Sequence, residues 1–353
     1  MVYAVILAGG SGTRFWPKSR QDKPKQLLNI LGPSTMLRQT VERILPLVPY
    51  ERIIIVAGER LEAAVKEELP ELPQENFLLE PVGRNTAPAI GLAAAALQKR
   101  DPASIMAVLP ADHTIQKQDR LLQVLEQGAA IAKDHGVLIT LGITPTHAET
   151  GYGYIEQGEP FSDGVFRVAR FREKPDRATA EAFLKAGGFS WNSGMFIWKT
   201  IDILKAIERF SPRLHRGLVA IDKDLGTARQ DETIRQIYGN LDGDSIDYAI
   251  MEKSEDILVI PADLGWSDVG CWSALEDVLG EDGEGNIAQG ETVLIDTRNS
   301  IFYSESRLIA AVGVDDLIVV ETGDALLVCR KDKVQDVRKI VDLLKDRGLD
   351  HYL

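Results

Sequence analysis

The sequence predicts an α/β protein: a Rossmann-like, mostly parallel sheet interleaved with helices, followed by a small β-rich C-terminal domain. Three observations carry this. Short apolar runs ending at glycine, proline or a polar turn alternate with segments of helical spacing from Tyr3 to Ile143. A polar, glycine-rich stretch, Gly280–Asn286, then reads as a linker. Beyond it, short strands recur with a turn every eight residues or so, roughly the spacing of a small all-β unit.

In order, the first half reads strand at Tyr3–Ala8, helix at Met36–Leu45, strand at Arg52–Ala57, helix at Leu61–Leu69 before Pro70, and strand at Phe77–Glu80. An alanine-rich helix at Pro88–Arg100, a strand at Ile105–Leu109, a helix at Leu121–Lys133 and a strand at Val137–Ile143 complete it. Repeated βα units imply right-handed crossovers and ligand sites beyond the carboxyl ends of the strands. Gly9–Gly12, Pro81–Thr86 and Pro110–His113 each follow a strand end and are expected to converge on one cleft. The middle mixes extended segments (Tyr152–Glu156, Val165–Glu173) with helices (Asp176–Gly187, Ile201–Phe210). After the linker, Thr292–Asp296, Ser300–Tyr303, Leu308–Val312, Asp316–Glu321 and Ala325–Cys329 read as strands, and Val334–Lys345 as an amphipathic helix. The division expected is residues 1–284 and 285–353.

At 353 residues the chain is long enough for two domains, at roughly 100–200 residues each. No apolar run reaches the ~18 residues of a membrane span. The N-terminal run lacks a basic flank and reads as a buried strand, not a signal peptide. Cys271 and Cys329 match no metal spacing and read as reduced thiols of a cytoplasmic protein. The five histidines form no zinc pattern. A net charge of −13 argues against a nucleic-acid partner. Positive charge is nonetheless concentrated between Ser11 and Lys25, where Arg14, Lys18, Arg20, Lys23 and Lys25 face one acid, Asp22. A small polyanion is expected there.

The loop after the first strand reads Leu7-Ala8-Gly9-Gly10-Ser11-Gly12-Thr13-Arg14-Phe15-Trp16-Pro17, followed by Lys23-Pro24-Lys25. Glycines straight after a strand let backbone N–H groups approach phosphates. The string is not a Walker A loop, which needs GK[ST], nor a Rossmann fingerprint, which needs a third glycine. A tight turn with surface charges is the plain alternative. The whole string resembles the signature of the nucleotidyltransferases that activate sugars, GGxGxRxxP followed by PK. With EPVGRNTAPAI, PADH, GYGYI, FREKP, WNSGMF and WSDVGCW in order, most of the chain resembles the mannose-1-phosphate guanylyltransferases, in their stand-alone form.

That resemblance implies GTP and mannose 1-phosphate as substrates, GDP-mannose and pyrophosphate as products, Mg²⁺ as cofactor, and a left-handed β-helix-like C-terminal domain whose residues 287–353 make a homodimer. The reaction explains the residue types. A phosphomonoester is largely dianionic at pH 7, so its oxygen can attack the α-phosphorus without a general base. The need is for cations, amide donors and a metal. Leu7, Ala8, Gly9, Gly10, Gly12 and Thr13 are expected on the nucleotide, with Arg14 and Lys25 on the triphosphate. Asp112 and Asp268 are the metal candidates; Asp112 could instead cap a turn, Asp268 lies in an ordinary turn sequence, and His113 reads as a donor orienting Asp112. Glu80, Arg84, Asn85 and Thr86 are expected to read the base. Glu80 could accept guanine N1–H and N2–H₂ together, or could pair with Arg84; Asn85 could cap the alanine-rich helix. Gly153, Glu173, Lys174, Asn192 and Gly194 are expected on the sugar phosphate, although strand-edge charge and turn chemistry explain each singly. The five tryptophans read mostly as core. Two other readings stay open: a uridylyl-, thymidylyl- or adenylyltransferase, and a nucleotide-sugar sensor without turnover.

Overall fold

Strand β1 (Val2–Leu7) is apolar throughout and pairs in parallel with β2 (Ile53–Gly58) on one side and β4 (Ile105–Pro110) on the other. Such a strand must be covered on both faces, which is why its residues and the IIIV run of β2 are buried. A computed structural model of the chain describes residues 1–10 and 12–353. The nine-stranded sheet runs β3-β2-β1-β4-β9-β6-β10-β8-β7. Its further strands are β3 (Phe77–Glu80), β6 (Leu138–Ile143), β7 (Tyr154–Ser162), β8 (Val165–Arg172), β9 (Phe189–Lys199) and β10 (Ile257–Ala262). The strands β5 (Thr114–Ile115) and β11 (Trp266–Ser267) have two residues each.

The β3-β2-β1-β4 block is parallel, as the βα alternation requires. β9 was not foreseen as a strand, yet it holds the centre, antiparallel to β4, β6 and β7. Its Asn192-Ser193-Gly194 interrupts the apolar alternation, and the β6–β9 register shifts between Thr140 and Gly142. The alanine-rich helix Thr86–Arg100 is buried along most of its length. Small side chains let helices Thr200–Phe210 and Pro212–Asp222 pack closely on it; a Cβ on Gly91 would meet Leu218 Cδ1 at 2.7 Å. Helices Pro212–Asp222 and Gln230–Tyr238 were also unforeseen.

The chain clusters into two units, each assembled from separated stretches. The first comprises Met1–Gly9, Thr40–Ala111 and Ile115–Trp266; the second comprises Gly10–Gln39, Asp112–Thr114 and Ser267–Leu353. The second thus adds Gly10–Gln39, Asp112–Thr114 and residues 267–284 to the 285–353 segment. Gly280–Asn286, expected as a linker, is a tied turn: Asp282 Oδ1 accepts from the backbone N–H groups of Glu284 (2.9 Å) and Asn286 (2.8 Å), and Asn286 is buried.

The C-terminal strands stack as a β-helix does. β12 (Ile287–Gln289), β14 (Ile301–Ser304) and β16 (Leu317–Glu321) pair in parallel, so Ile287, Ile301 and Ile318 form a buried ladder. β13 (Thr292–Ile295) and β15 (Ile309–Val312) make a second parallel pair, and β17 (Leu326–Arg330) adds an antiparallel edge. A Cβ on Gly290, at φ +89, would meet Ser304 O at 2.3 Å, so this corner requires glycine. The ladder joins one core with Phe15, Trp16, Trp272 and Val337. Three of the five cations expected on a polyanion are placed by the structure as follows. Lys18 is buried and donates to Tyr303 Oη and Glu305 Oε1; Arg20 pairs with Asp324 at 2.7 Å; Lys23 is exposed. Lys18 and Arg20 therefore anchor the β-helix segment.

One carboxylate organises a turn of this segment. Buried Glu321 accepts from the backbone N–H groups of Glu305, Ser306 and Arg307 (3.0–3.2 Å) and from the hydroxyls of Ser304 and Ser306. Burial opposes the charge, but the Ser306, Arg307 and Ser304 hydrogen bonds outweigh it and hold the carboxyl down at about 2. The folded pKa lies below the ordinary one, so this stabilisation is present above about pH 4.5 and is lost as pH falls toward about 2. Glu321→Gln should flatten that part of the acid unfolding curve and lower the unfolding free energy read from denaturant titration at pH 7 by about 1–3 kcal/mol. An acid profile identical to that of the unsubstituted protein would refute the assignment.

Candidate functional site

In the second unit, a cavity of about 290 Å³ is lined by Gly10, Gly12, Thr13, Arg14, Phe15, Lys25, Asp112, His113, Asp268 and Gly270. Lys25 is its centre. The ammonium is buried, and Nζ donates to Asp112 Oδ2 at 2.9 Å and to the Asp268 carbonyl oxygen. Gly12, at φ +56, lies against the Lys25 backbone; a Cβ there would meet Lys25 Cβ at 2.6 Å and Lys25 N at 2.7 Å. This glycine is therefore a packing requirement as well as a turn residue.

Burial pushes the Asp112 carboxyl up, but the charges of Lys25 and His113 and the Lys25 hydrogen bond outweigh it and hold it below the usual carboxylate range. His113 Nε2 stands 4.0 Å from Asp112 Oδ1, too far for the orienting hydrogen bond expected of it; Lys25 performs that role. Asp268 precedes Val269, a buried β-branched residue at φ +42. This left-handed conformation is strained, and the turn around it is held by Ser267 Oγ, which accepts from Val269 N at 3.1 Å. A Cβ on Gly270 would lie 3.3 Å from both Asp268 carboxylate oxygens and 3.5 Å from Arg14 Nη1, so Asp268 and Arg14 flank one bare stretch of backbone. Among the described residues, no group of three or more His, Cys, Asp or Glu could hold a metal alone. Two carboxylates in a cavity fit a small divalent cation that takes few protein ligands and completes its shell with phosphate and water.

In the first unit, the expected sugar-phosphate residues gather together. A Cβ on Gly153 would meet Glu173 Oε2 at 2.3 Å and Asn192 Cβ at 3.4 Å. Asn192 Nδ2 donates to Asp247 Oδ1 at 2.7 Å, and Asn192 Oδ1 accepts from Gly194 N at 3.2 Å. Lys174 Nζ stands 4.0 Å from Glu173 Oε1. Burial, then the Asp247 charge, pushes Glu173 up; burial also pushes Asp247 up against its Asn192 hydrogen bond. Asp247, which accepts from Asn192, was missed by the sequence reading. Asp247 begins a π-helical turn, Asp247–Met251, a geometry frequent at functional sites but without a sequence signature.

The expected base-reading residues also lie in the first unit, with different partners. Tyr238 Oη donates to Glu80 Oε1; burial pushes the Glu80 carboxyl up against that bond, and pushes the Tyr238 hydroxyl up as well. Oε1 accepts from Tyr238, and the remaining lone pairs of the carboxylate leave it able to accept further hydrogen bonds. Arg84 Nη2 donates to the Gly239 carbonyl and not to Glu80. Asn85, at φ +65, caps the alanine-rich helix by accepting from Thr86 N at 2.9 Å, and Thr86 Oγ1 accepts from Ile246 N at 2.9 Å. Leu7 and Ala8 join the sheet ladder: Leu7 O accepts from Ala111 N at 3.1 Å, and Ala8 N donates to Val56 O at 2.8 Å. Gly9 is exposed; Ser11 lies outside the described residues. Of the three loops expected in one cleft, Gly10–Gly12 and Asp112–His113 share the cavity, through Gly10, Gly12, Asp112 and His113, while Pro81–Thr86 belongs to the first unit.

The nucleotidyl transferase family model matches residues 3–284, and the MannoseP isomerase/GMP-like beta-helix domain matches residues 290–344. A mannose-1-phosphate guanylyltransferase of Salmonella typhimurium is 43% identical over 99% of this chain and 73% of its own length. One from Escherichia coli is 41% identical over 98% and 74%. The chain belongs to the mannose-1-phosphate guanylyltransferase family of nucleotidyl transferases. A solved structure from Thermus thermophilus, described as a mannose-1-phosphate geranyltransferase, superposes with a TM-score of 0.89 at 35% identity, covering 98% of this chain and 99% of that one. In this guanylyltransferase-family chain, Gly12 and Lys25 are packed backbone to side chain with no room for a Cβ. Gly12→Ala should leave the circular dichroism spectrum unchanged and reduce nucleotidyl transfer by about 10²–10³-fold, the scale of losing one transition-state donor. Activity within a few-fold of the parent would show that Lys25 need not sit where it does.

Proposed function

We propose that the chain transfers a guanylyl group from GTP to α-D-mannose 1-phosphate, yielding GDP-mannose and pyrophosphate. The observation that carries this is the buried Lys25, aligned by Asp112 in a cavity that also holds Arg14, Asp268 and a glycine turn. The names of relatives at 41–43% identity support the choice of base and sugar.

A sugar-phosphate oxygen forms a bond to the α-phosphorus; the bond from that phosphorus to the β-phosphate bridging oxygen breaks, and the electron pair departs with pyrophosphate. The attacking oxygen is already ionised at neutral pH, so no side chain need remove a proton. The chain's task is to hold two polyanions in line and stabilise the charge shifting to the leaving group. Lys25 serves as a point charge on the triphosphate, and Arg14 as a planar donor able to hold two oxygens. Asp112 and Asp268 would hold Mg²⁺, which supplies charge neutralisation between the phosphates when bound. Lys174 serves the mannose phosphate, while Glu173, Asn192 and Asp247, beside Gly153 and Gly194, serve its hydroxyls. We place this activity in the cytoplasm, where GTP is abundant; among the described residues no helix is long and apolar enough to cross a membrane.

The test is pyrophosphate release with mannose 1-phosphate and Mg²⁺, comparing GTP with ATP, UTP, dTTP and ITP. Turnover should be confined to the guanine-like nucleotides and stop on chelation; preference for another base would keep the reaction class and overturn the product. Lys25→Ala should lower kcat by about 10²–10³-fold, whereas a change confined to the KM for GTP would remove its catalytic role. Glu80, oriented by Tyr238, is the acceptor for the guanine 2-amino group, so Glu80→Gln should shrink the GTP-to-ITP preference; an unchanged preference would remove that role.

We further propose a homodimer through residues 287–353. Val293, Ile295 and Val312 project apolar side chains from the β13–β15 pair, and Leu326 and Val328 do so from the β17 edge. Exposed apolar strand surface of this kind favours self-association. Light scattering should give twice the chain mass, and Val312→Glu should halve it; a monomer at every concentration would end the proposal.

A further inference from the structure

We infer that Gln335, in the β-helix segment, is a positioning residue for Arg14 and sets the guanidinium at the mouth of the phosphate cavity. The inference rests on the reading above that this cavity takes the polyphosphate. Arg14 is exposed, and a long side chain left free would sample many rotamers before meeting a phosphate. Its Nη1 donates to Gln335 Oε1 at 3.4 Å. The other end of the same amide, Nε2, donates to Cys271 Sγ at 3.4 Å, a normal separation for a sulfur acceptor. One donor and one acceptor of a planar amide thus join two stretches: Arg14, which lines the cavity, and Cys271, which does not but directly follows the lining residue Gly270. The sulfur takes the N–H end and so directs the carbonyl end toward the guanidinium.

The backbone beneath Gln335 is fixed although its side chain is exposed. It belongs to the 3₁₀ turn Lys331–Asp336, whose Val334 is buried, as is Val337 just after it; Lys331 pairs with Glu276. Other hydrogen bonds and ion pairs from the β-helix segment and C-terminus reach Lys18, Arg20 and Trp16, which do not line the cavity, while Phe15, which does, meets the segment through apolar packing. Gln335 engages the lining residue Arg14 through a hydrogen bond. The β-helix segment thereby contributes to ligand binding, beyond any part in self-association.

The experiment is a double-mutant cycle on the full chain with Gln335→Met, which preserves length and packing while removing both polar ends. Binding of inorganic tripolyphosphate in Mg²⁺ buffer is measured by calorimetry, with kcat and KM for GTP in parallel. Gln335→Met should weaken tripolyphosphate binding and raise the KM for GTP by about 3–10-fold, as expected for a modest hydrogen bond to a charged group, with kcat changed by less than about twofold. In an Arg14→Ala background the same substitution should have no further effect. Gln335→Ser, shorter and unable to reach Arg14, should repeat the result. Equal losses in both backgrounds would indicate a structural role, and no loss in either would remove the interaction; both overturn the inference, as does a parent protein that fails to bind tripolyphosphate. If the binding cycle behaves as expected but no nucleotide supports turnover, the positioning role stands and the proposed reaction falls.

Discussion

A buried ammonium must be neutralised where it sits, and the second unit is arranged around that requirement. Lys25 meets it with the Asp112 carboxylate and the Asp268 carbonyl, thereby tying together the three separated stretches that make up the unit. Removing Asp112 leaves the ammonium buried without its counter-charge, whereas Asp112 itself, 32% exposed, keeps access to water when Lys25 is removed. Gly12 must then be glycine, Asp112 is kept ionised, and Val269 accepts a strained backbone so that the Asp268 turn can close. The ion pair matters more for placing a cation than for net stability, since buried pairs often return little beyond their own desolvation.

The first unit places its polar groups by the opposite balance. Glu173 and Asp247 are two acids near enough for the Asp247 charge to push Glu173 up, with the Asn192 amide on Asp247 and Lys174 as the cation adjacent to Glu173. Burial raises both carboxyls above their ordinary range. The loop that carries Arg84, Asn85 and Thr86 spends its hydrogen bonds on Gly239–Ile246, so its shape depends on a segment more than 150 residues away.

The C-terminal strands are too short and too few to enclose an extensive core on their own. Stacked isoleucines supply part of it, and Phe15, Trp16 and Trp272 supply the rest. In a chain of net charge −13, two of the five cations between Ser11 and Lys25 are spent on Glu305 and Asp324. The N-terminal loop therefore serves two purposes within one unit: one edge lines the cavity and the other seats the β-helix segment.

Much of this was legible in the sequence because it depends on local pattern. Apolar runs marked the parallel strands, alanine marked the buried helix, and the glycine string with Arg14, Lys25, Asp112 and Asp268 marked the cavity; these residues are rigidly specified by short stretches of backbone. The helices Pro212–Asp222 and Gln230–Tyr238, strand β9 and the π-helical turn at Asp247 were not legible, because long-range packing overrides their weak local signals. Which charge meets which partner was decided by tertiary structure alone. Glu80 meets Tyr238, Lys18 meets Glu305, and Gln335 reaches Arg14, each across well over a hundred residues. Sequence by itself determined the chemical inventory and the strand ends that present it; only the fold could choose the partners, because hydrogen bonds and ion pairs depend on distance in space, to which separation along the chain is no guide.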